Sequence, residues 1–225
     1  MAYKMDPRIN MCLLEQCAEG TRRIMKEGFT PSRGGDISLR DPSTGLIYVS
    51  GNLKDLPFPY ATFLEFRAQD IAVFEPDGTL VSPWAVGTIE MPMHLAIMRA
   101  RPDVNCVLHT HPQWSTVFAM THKDIPLVLT EQSYHLGGEI RTAKYAPAGA
   151  MEVGDYVVEA LGDRNAVLMD AHGSVAVGER MDMAFAHAHY LENVAQKAIF
   201  ASLLDRLYPL KEDEILADHF MEGTA

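Results

Sequence analysis

The chain has 225 residues, enough for one domain that buries about 70% of its unfolded surface and short for two. A composition of 48% hydrophobic and 22% charged residues excludes the disordered, collagen-like and disulfide-scaffold classes. Lys and Arg number 19 against 30 Asp and Glu, and the net charge of −11 repels phosphate backbones and anionic membrane surfaces, so nucleic acid is not expected as a partner.

At the amino end, Lys4, Asp6 and Arg8 precede any apolar stretch, which is not the pattern of a secretory leader, and no run of 18 apolar residues follows. Cys12, Cys17 and Cys106 are an odd number without CxxC spacing, the usage of free thiols in a reducing compartment. These features predict a cytoplasmic protein without a membrane span, formed as a single domain over residues 1–225.

From Asp6 to about Lys26, Ile9, Cys12, Leu13, Cys17 and Ile24 recur at helical spacing, and Gly28 is the expected stop. Ile37 and Leu39, then Leu46, Ile47 and Val49, form a hairpin around the turn residues Asp41, Pro42, Ser43 and Gly45. A further strand runs Asp70–Phe74, with a turn at Glu75–Gly78 and a short strand through Leu80 and Val81. Glu90 to Arg101 reads as a helix with Thr88 as its cap and Pro102 as its end. The apolar segment Asn105–His109 reads as a central strand. A helical stretch Trp114–Met120, an apolar run Ile125–Leu129, a turn at Gly137 and Gly138 and a helix near Glu152–Leu161 follow. Ala166–Met169 and Ser174–Val177 are two short strands, and a long helix from about Met181 to Leu207 leads into an acidic tail. Strands cluster early without strict βαβ alternation, which predicts an α/β fold with a mixed, largely antiparallel sheet flanked by helices.

Of the nine histidines, His109 and His111 end the central strand, where residues two apart project from one face. Two imidazoles aimed at one point suit a shared divalent cation, although a simple polar pair at a strand end has the same spacing. His172 lies in the sharp turn Asp170–Gly173; a third imidazole there leaves one coordination position open, as in catalytic sites. Glu90 stands just before the helix that precedes this strand, either as a proton shuttle or as a helix N-terminal acid favoured by the macrodipole. His94, one turn later, is a possible partner for it. His187 and His189 repeat the spacing inside a helix, where such residues diverge, so no second metal site is expected. Arg33, Gly34 and Gly35 form a loop whose backbone can approach a ligand closely.

Three segments, GGDISLRDPSTGLIYVSG, TIEMPMHLAIMRARPDVNCVLHTHP and AVLMDAHGSVAVG with HYLENVAQ, occur in an order that resembles the class II aldolase/adducin family, whose best-known enzymes are fuculose-phosphate aldolase and ribulose-phosphate 4-epimerase. The resemblance runs from about Leu14 to Leu207. It implies a three-layer α/β/α fold, a homotetramer with sites at subunit interfaces, and a small-molecule substrate. It also implies a divalent metal, Zn²⁺ or another such as Mn²⁺ or Co²⁺, held by His109, His111 and His172, with Glu90 as the acid/base carboxylate. Aldol cleavage of a hydroxyketone or ketose-type substrate through an enediolate is the expected reaction. The alternatives are decarboxylation of a hydroxy or keto acid, with Arg33 as carboxylate anchor, 4-epimerisation of a sugar phosphate, and a non-catalytic adducin-like scaffold. Where relatives hold phosphate with a Gly-Asn pair, a Thr/Ser-Gly pair and two serines, this chain has Gly35-Asp36, Ser50-Gly51 and Thr88-Ile89. Asp36 repels a phosphate dianion and Ile89 removes a hydroxyl donor. Tyr134 is the nearest match to a tyrosine donor from the middle of the chain, and Tyr208 one from the carboxyl end.

Overall fold

The computed structural model describes residues 5–53, 62–204 and 207–211; Lys4 and the acidic tail beyond Lys211 lie outside them. Helix α1 (Met11–Lys26) begins later than the apolar spacing suggests. Asn10 holds an extended backbone, and its side-chain oxygen accepts the Cys12 N–H at 3.0 Å, which fixes the first turn there. Strands β1 (Asp36–Arg40) and β2 (Ile47–Leu53) form the expected hairpin, with Ser38 opposite Val49. Two 3-10 turns, Phe63–Glu65 and Ala68–Asp70, lead to β3 (Ile71–Phe74). Leu80 makes only an isolated bridge to Phe74, not a strand, and β4 (Ala85–Gly87) pairs with the end of β2.

Helix α2 (Met91–Ala100) takes Glu90 as its N-cap without a side-chain cap bond, so Thr88 is not the cap. The Thr88 hydroxyl instead accepts the Glu90 N–H at 3.2 Å and gives its own hydrogen to Asp36. After β5 (Cys106–Thr110) come α3 (Ser115–Met120) and α4 (Thr130–Leu136), then β6 (Thr142–Ala143), α5 (Met151–Leu161), β7 (Ala166–Met169), β8 (Gly173–Gly178) and α6 (Met181–Leu204). The apolar run Ile125–Leu129 is not a strand. Pro126 interrupts its donors, and one bridge from Ile125 to Ile140 remains.

The sheet order is β3-β2-β1-β5-β8-β7-β6, and every pairing is antiparallel except that of β6 with β7. Strand β5 is therefore central. Its side chains alternate between two cores as the pleat requires. Cys106 and Leu108 join Ile37, Leu39 and Ala176 under α1 and α6, whereas Val107 joins Ile47, Val49, Val175 and Val177 under α2 and α5. The result is helix, sheet and helix in three layers. No helix among the described residues is long and apolar enough to cross a membrane.

Candidate active site

His109 occupies the face of β5 that α2 and α5 cover, and it is buried. In register across β1 it faces Asp36, and across β8 it faces Val175. His111 follows at the strand's exit, where its N–H bonds the Phe29 carbonyl at 3.2 Å. Its ring lies between two glycines: a Cβ on Gly34 would come 2.6 Å from Nδ1, and one on Gly173 would come 2.8 Å from Cδ2. Any side chain at either position would drive the imidazole out. His172 is presented by the β7–β8 turn, closed by its N–H on the Met169 carbonyl at 3.0 Å and by Ala171 in a left-handed conformation (φ 52°). A non-glycine residue held there stores strain, which this turn spends on aiming the imidazole.

The three rings converge, with centroids 4.8, 4.8 and 4.9 Å apart, and their ligand nitrogens all lie within 4.8 Å of one another. His109 donates its Nδ1–H to the Ser174 carbonyl at 3.0 Å, which leaves the Nε2 lone pair aimed at the cluster. His111 Nε2 lies 3.0 Å from that atom, so in the metal-free form it must carry the hydrogen. Burial first, then the neighbouring imidazoles, push His109 down to about 3; burial and the charge of His172 lower His111, and burial lowers His172. Three imidazoles whose burial favours the neutral form and whose ligand nitrogens converge fit a divalent cation, which would take the place of the hydrogen shared by His111 and His109.

Glu90 is buried at the head of α2 and lines the same cavity without belonging to the imidazole cluster. Its Oε2 has no hydrogen-bond partner among the described residues. Burial raises its carboxyl, the Asp36 charge raises it further, and His94 and the Gly149 N–H oppose them. An acid of raised pKa facing an open cavity suits proton transfer at neutral pH.

Asp36 opens β1 and shares a face with Ser38. Its Oδ1 accepts from His94 Nε2 at 2.7 Å and its Oδ2 from the Thr88 hydroxyl, while His94 Nδ1 meets Ser38 Oγ at 2.6 Å. Burial alone would raise this carboxyl, but His94, His109 and Thr88 outweigh it and hold it at about 2. His94 is thus partnered with Asp36, not with Glu90.

A cavity of about 500 Å³ gathers Arg33, Gly35, Asp36, Ser50, Gly51, Thr88, Glu90, His109, His111 and His172. Tyr134 is outside it, about half exposed on α4, with its ring 6.2 Å from that of His135. Gly34, Gly87 and Ile89 line the cavity too, and Phe63, Phe66 and Ala148 are lining residues that local spacing does not distinguish from core. His187 and His189 diverge as predicted: the first bonds the Val177 carbonyl at 2.6 Å, the second Glu27 at 2.8 Å.

The model for the Class II Aldolase and Adducin N-terminal domain matches residues 15–199. The chain is 28% identical over 197 residues to a 5-deoxy-D-ribulose 1-phosphate aldolase of Bacillus thuringiensis serovar kurstaki, covering 86% of this chain and 87% of that one. It is 27% identical over 205 residues to an L-fuculose phosphate aldolase of Escherichia coli, covering 91% and 89%. Among solved structures, an L-fuculose 1-phosphate aldolase superposes with a TM-score of 0.86 at 23% identity, covering 95% of this chain and 98% of that one.

Proposed function

The chain belongs to the class II aldolase and adducin family and is a lyase of the aldolase type, and from that premise we propose that it cleaves a hydroxyketone or ketose-type substrate at the cavity built by His109, His111, His172 and Glu90. The observation that carries this reading is the convergence of three imidazoles beside a buried carboxylate oxygen without a partner among the described residues. His109, His111 and His172 would hold a divalent cation, which would supply a Lewis acid for polarising the substrate carbonyl. The donor set suits Zn²⁺, Mn²⁺ or Co²⁺.

In retro-aldol cleavage the hydroxyl β to the carbonyl gives its proton to solvent, and as the electrons of that O–H bond close the aldehyde carbonyl the carbon–carbon bond breaks, its pair passing to the enediolate. Glu90 is the group that returns a proton to that carbon or removes one in the reverse direction. Its raised carboxyl can hold the proton between steps. Asp36 cannot share this work, because both its oxygens are already occupied by His94 and Thr88. Arg33 on the cavity wall supports a second reading, decarboxylation with Arg33 anchoring a carboxylate.

The whole chain works as one such domain, as a homotetramer in the cytoplasm, and its three cysteines are free as a reducing compartment requires. Metal analysis of the purified protein, coupled to assays of aldehyde and CO₂ release, tests the proposal. About one equivalent of divalent metal per chain and aldehyde release are expected, with both lost in His172→Ala. CO₂ release without aldehyde would establish the second reading, and absence of metal with no turnover would overturn both.

A further inference from the structure

The hydroxyls of the cavity wall can be followed hydrogen by hydrogen. Thr88 gives its hydroxyl hydrogen to Asp36 Oδ2 and accepts the Glu90 N–H. Ser50 accepts the Ile37 N–H at 3.0 Å. Thr21, 2.8 Å from Ser50 Oγ, spends its own hydrogen on the Cys17 carbonyl, so the Ser50 hydrogen goes to Thr21 or to the Ile37 carbonyl. Neither hydroxyl has a hydrogen left for a ligand. Asp36 accepts on both oxygens, the bonding of a carboxylate anion. Apart from the reaction centre and Arg33, the other side chains of the wall are apolar: Phe63 and Phe66 sit edge to face at 5.8 Å, with Ile89 and Ala148 beside them at the cavity.

From this accounting we infer that the cavity takes a hydroxyketone whose end away from the reacting carbons is uncharged, and that Asp36 is the specificity residue that turns away phosphorylated ketoses. The inference rests on the proposed lyase function. A terminal phosphate would bring a dianion against a fixed, buried anion, where Coulomb repulsion is screened far less than in water. It would find no hydroxyl hydrogen on Ser50 or Thr88 to bond, which leaves Arg33 as the one cation among the described lining residues to set against Asp36. A hydroxymethyl or alkyl end meets neither obstacle and packs against Phe63 and Phe66. The aldolases to which the chain is similar are named for phosphorylated ketoses, so this chain has kept their reaction centre with a different substrate end.

Two arms test it. Inorganic phosphate is titrated calorimetrically into the wild-type protein and Asp36→Asn, at ionic strength matched with chloride. In parallel, a free ketopentose and the phosphate ester of the same ketopentose are compared as cleavage substrates of the metal-loaded enzyme. We expect no saturable phosphate binding by the wild type and its appearance in Asp36→Asn. We expect kcat/KM for the free sugar to exceed that for the ester by at least about tenfold, with the preference narrowed or reversed in the variant. Submillimolar phosphate binding by the wild type, or a preference for the ester, would overturn the inference. If neither sugar is cleaved, it is the lyase reading that fails, and the wild-type phosphate titration still decides this one without relying on the variant's folding.

Discussion

Glu90 differs from a helix-capping acid in what its oxygens meet. A cap would bond the first free N–H groups of α2, yet no side-chain cap bond forms and Oε2 is unpartnered. Glu90→Gln should therefore lower kcat about 10²- to 10⁴-fold while metal content stays at the wild-type level, measured on the same preparation. The imidazoles carry a second prediction. Unfolded, His109 titrates at its ordinary 6.5, and folded at about 3, so between those values the unfolded chain binds a proton that the folded chain refuses. The metal-free protein should lose stability as pH falls from about 6.5 toward 3, seen as a falling Tm in chelator, and His109→Gln should flatten that slope. A Tm independent of pH over that window would contradict the neutral, buried state of the ring. Much of this site is legible in the sequence, because the strand period alone puts His109 and His111 on one side and Asp36 with Ser38 on one side. That His94 would reach Asp36 and not Glu90, and that Tyr134 would stay outside the cavity, depends on how α2 and α4 lie against the sheet, which local spacing does not encode.

At the scale of elements, Glu192 shows how α6 holds the loop that carries His111. Its two oxygens accept the Trp114 N–H at 2.9 Å and the Ser115 N–H at 2.6 Å, doing for α3 what a cap residue would do. Glu192→Ala should destabilise the protein by about 1 to 2 kcal/mol in urea unfolding, with Glu192→Gln recovering only part of the loss. Strands β2, β5, β7 and β8 are readable because each fills two cores at once, and β1 because Ile37 and Leu39 fill one core while Asp36 and Ser38 turn to the other face. Helix α4 escapes such a reading. It spans seven residues and buries only Gln132 and Leu136, too few to show a period. Strands β4 and β6, of three and two residues, owe their state to the neighbours they pair with.

For the whole molecule, the exposed end of α6 is the feature that a lone chain does not explain. Phe200, Leu203 and Leu204 are 52%, 75% and 88% exposed on its last turns, apolar surface of the kind that marks interaction sites, and the proposed tetramer would cover it. Sedimentation should give a mass four times that of the chain, and Leu203→Glu with Leu204→Glu should lower it; an unchanged monomer in the wild type would contradict the tetramer. The order in which the chain supplies the cluster has a different kind of consequence. His109 and His111 come from the middle of the chain, but His172 arrives only with the β7–β8 turn, and the Ser174 carbonyl that sets the His109 tautomer arrives two residues later. A nascent chain leaving the ribosome therefore carries two of the three imidazoles for the time needed to make some sixty further residues. For the proposed metal site, capture would be tied to completion of the sheet: a truncated or stalled product would lack His172, and loading would report that synthesis has passed β8.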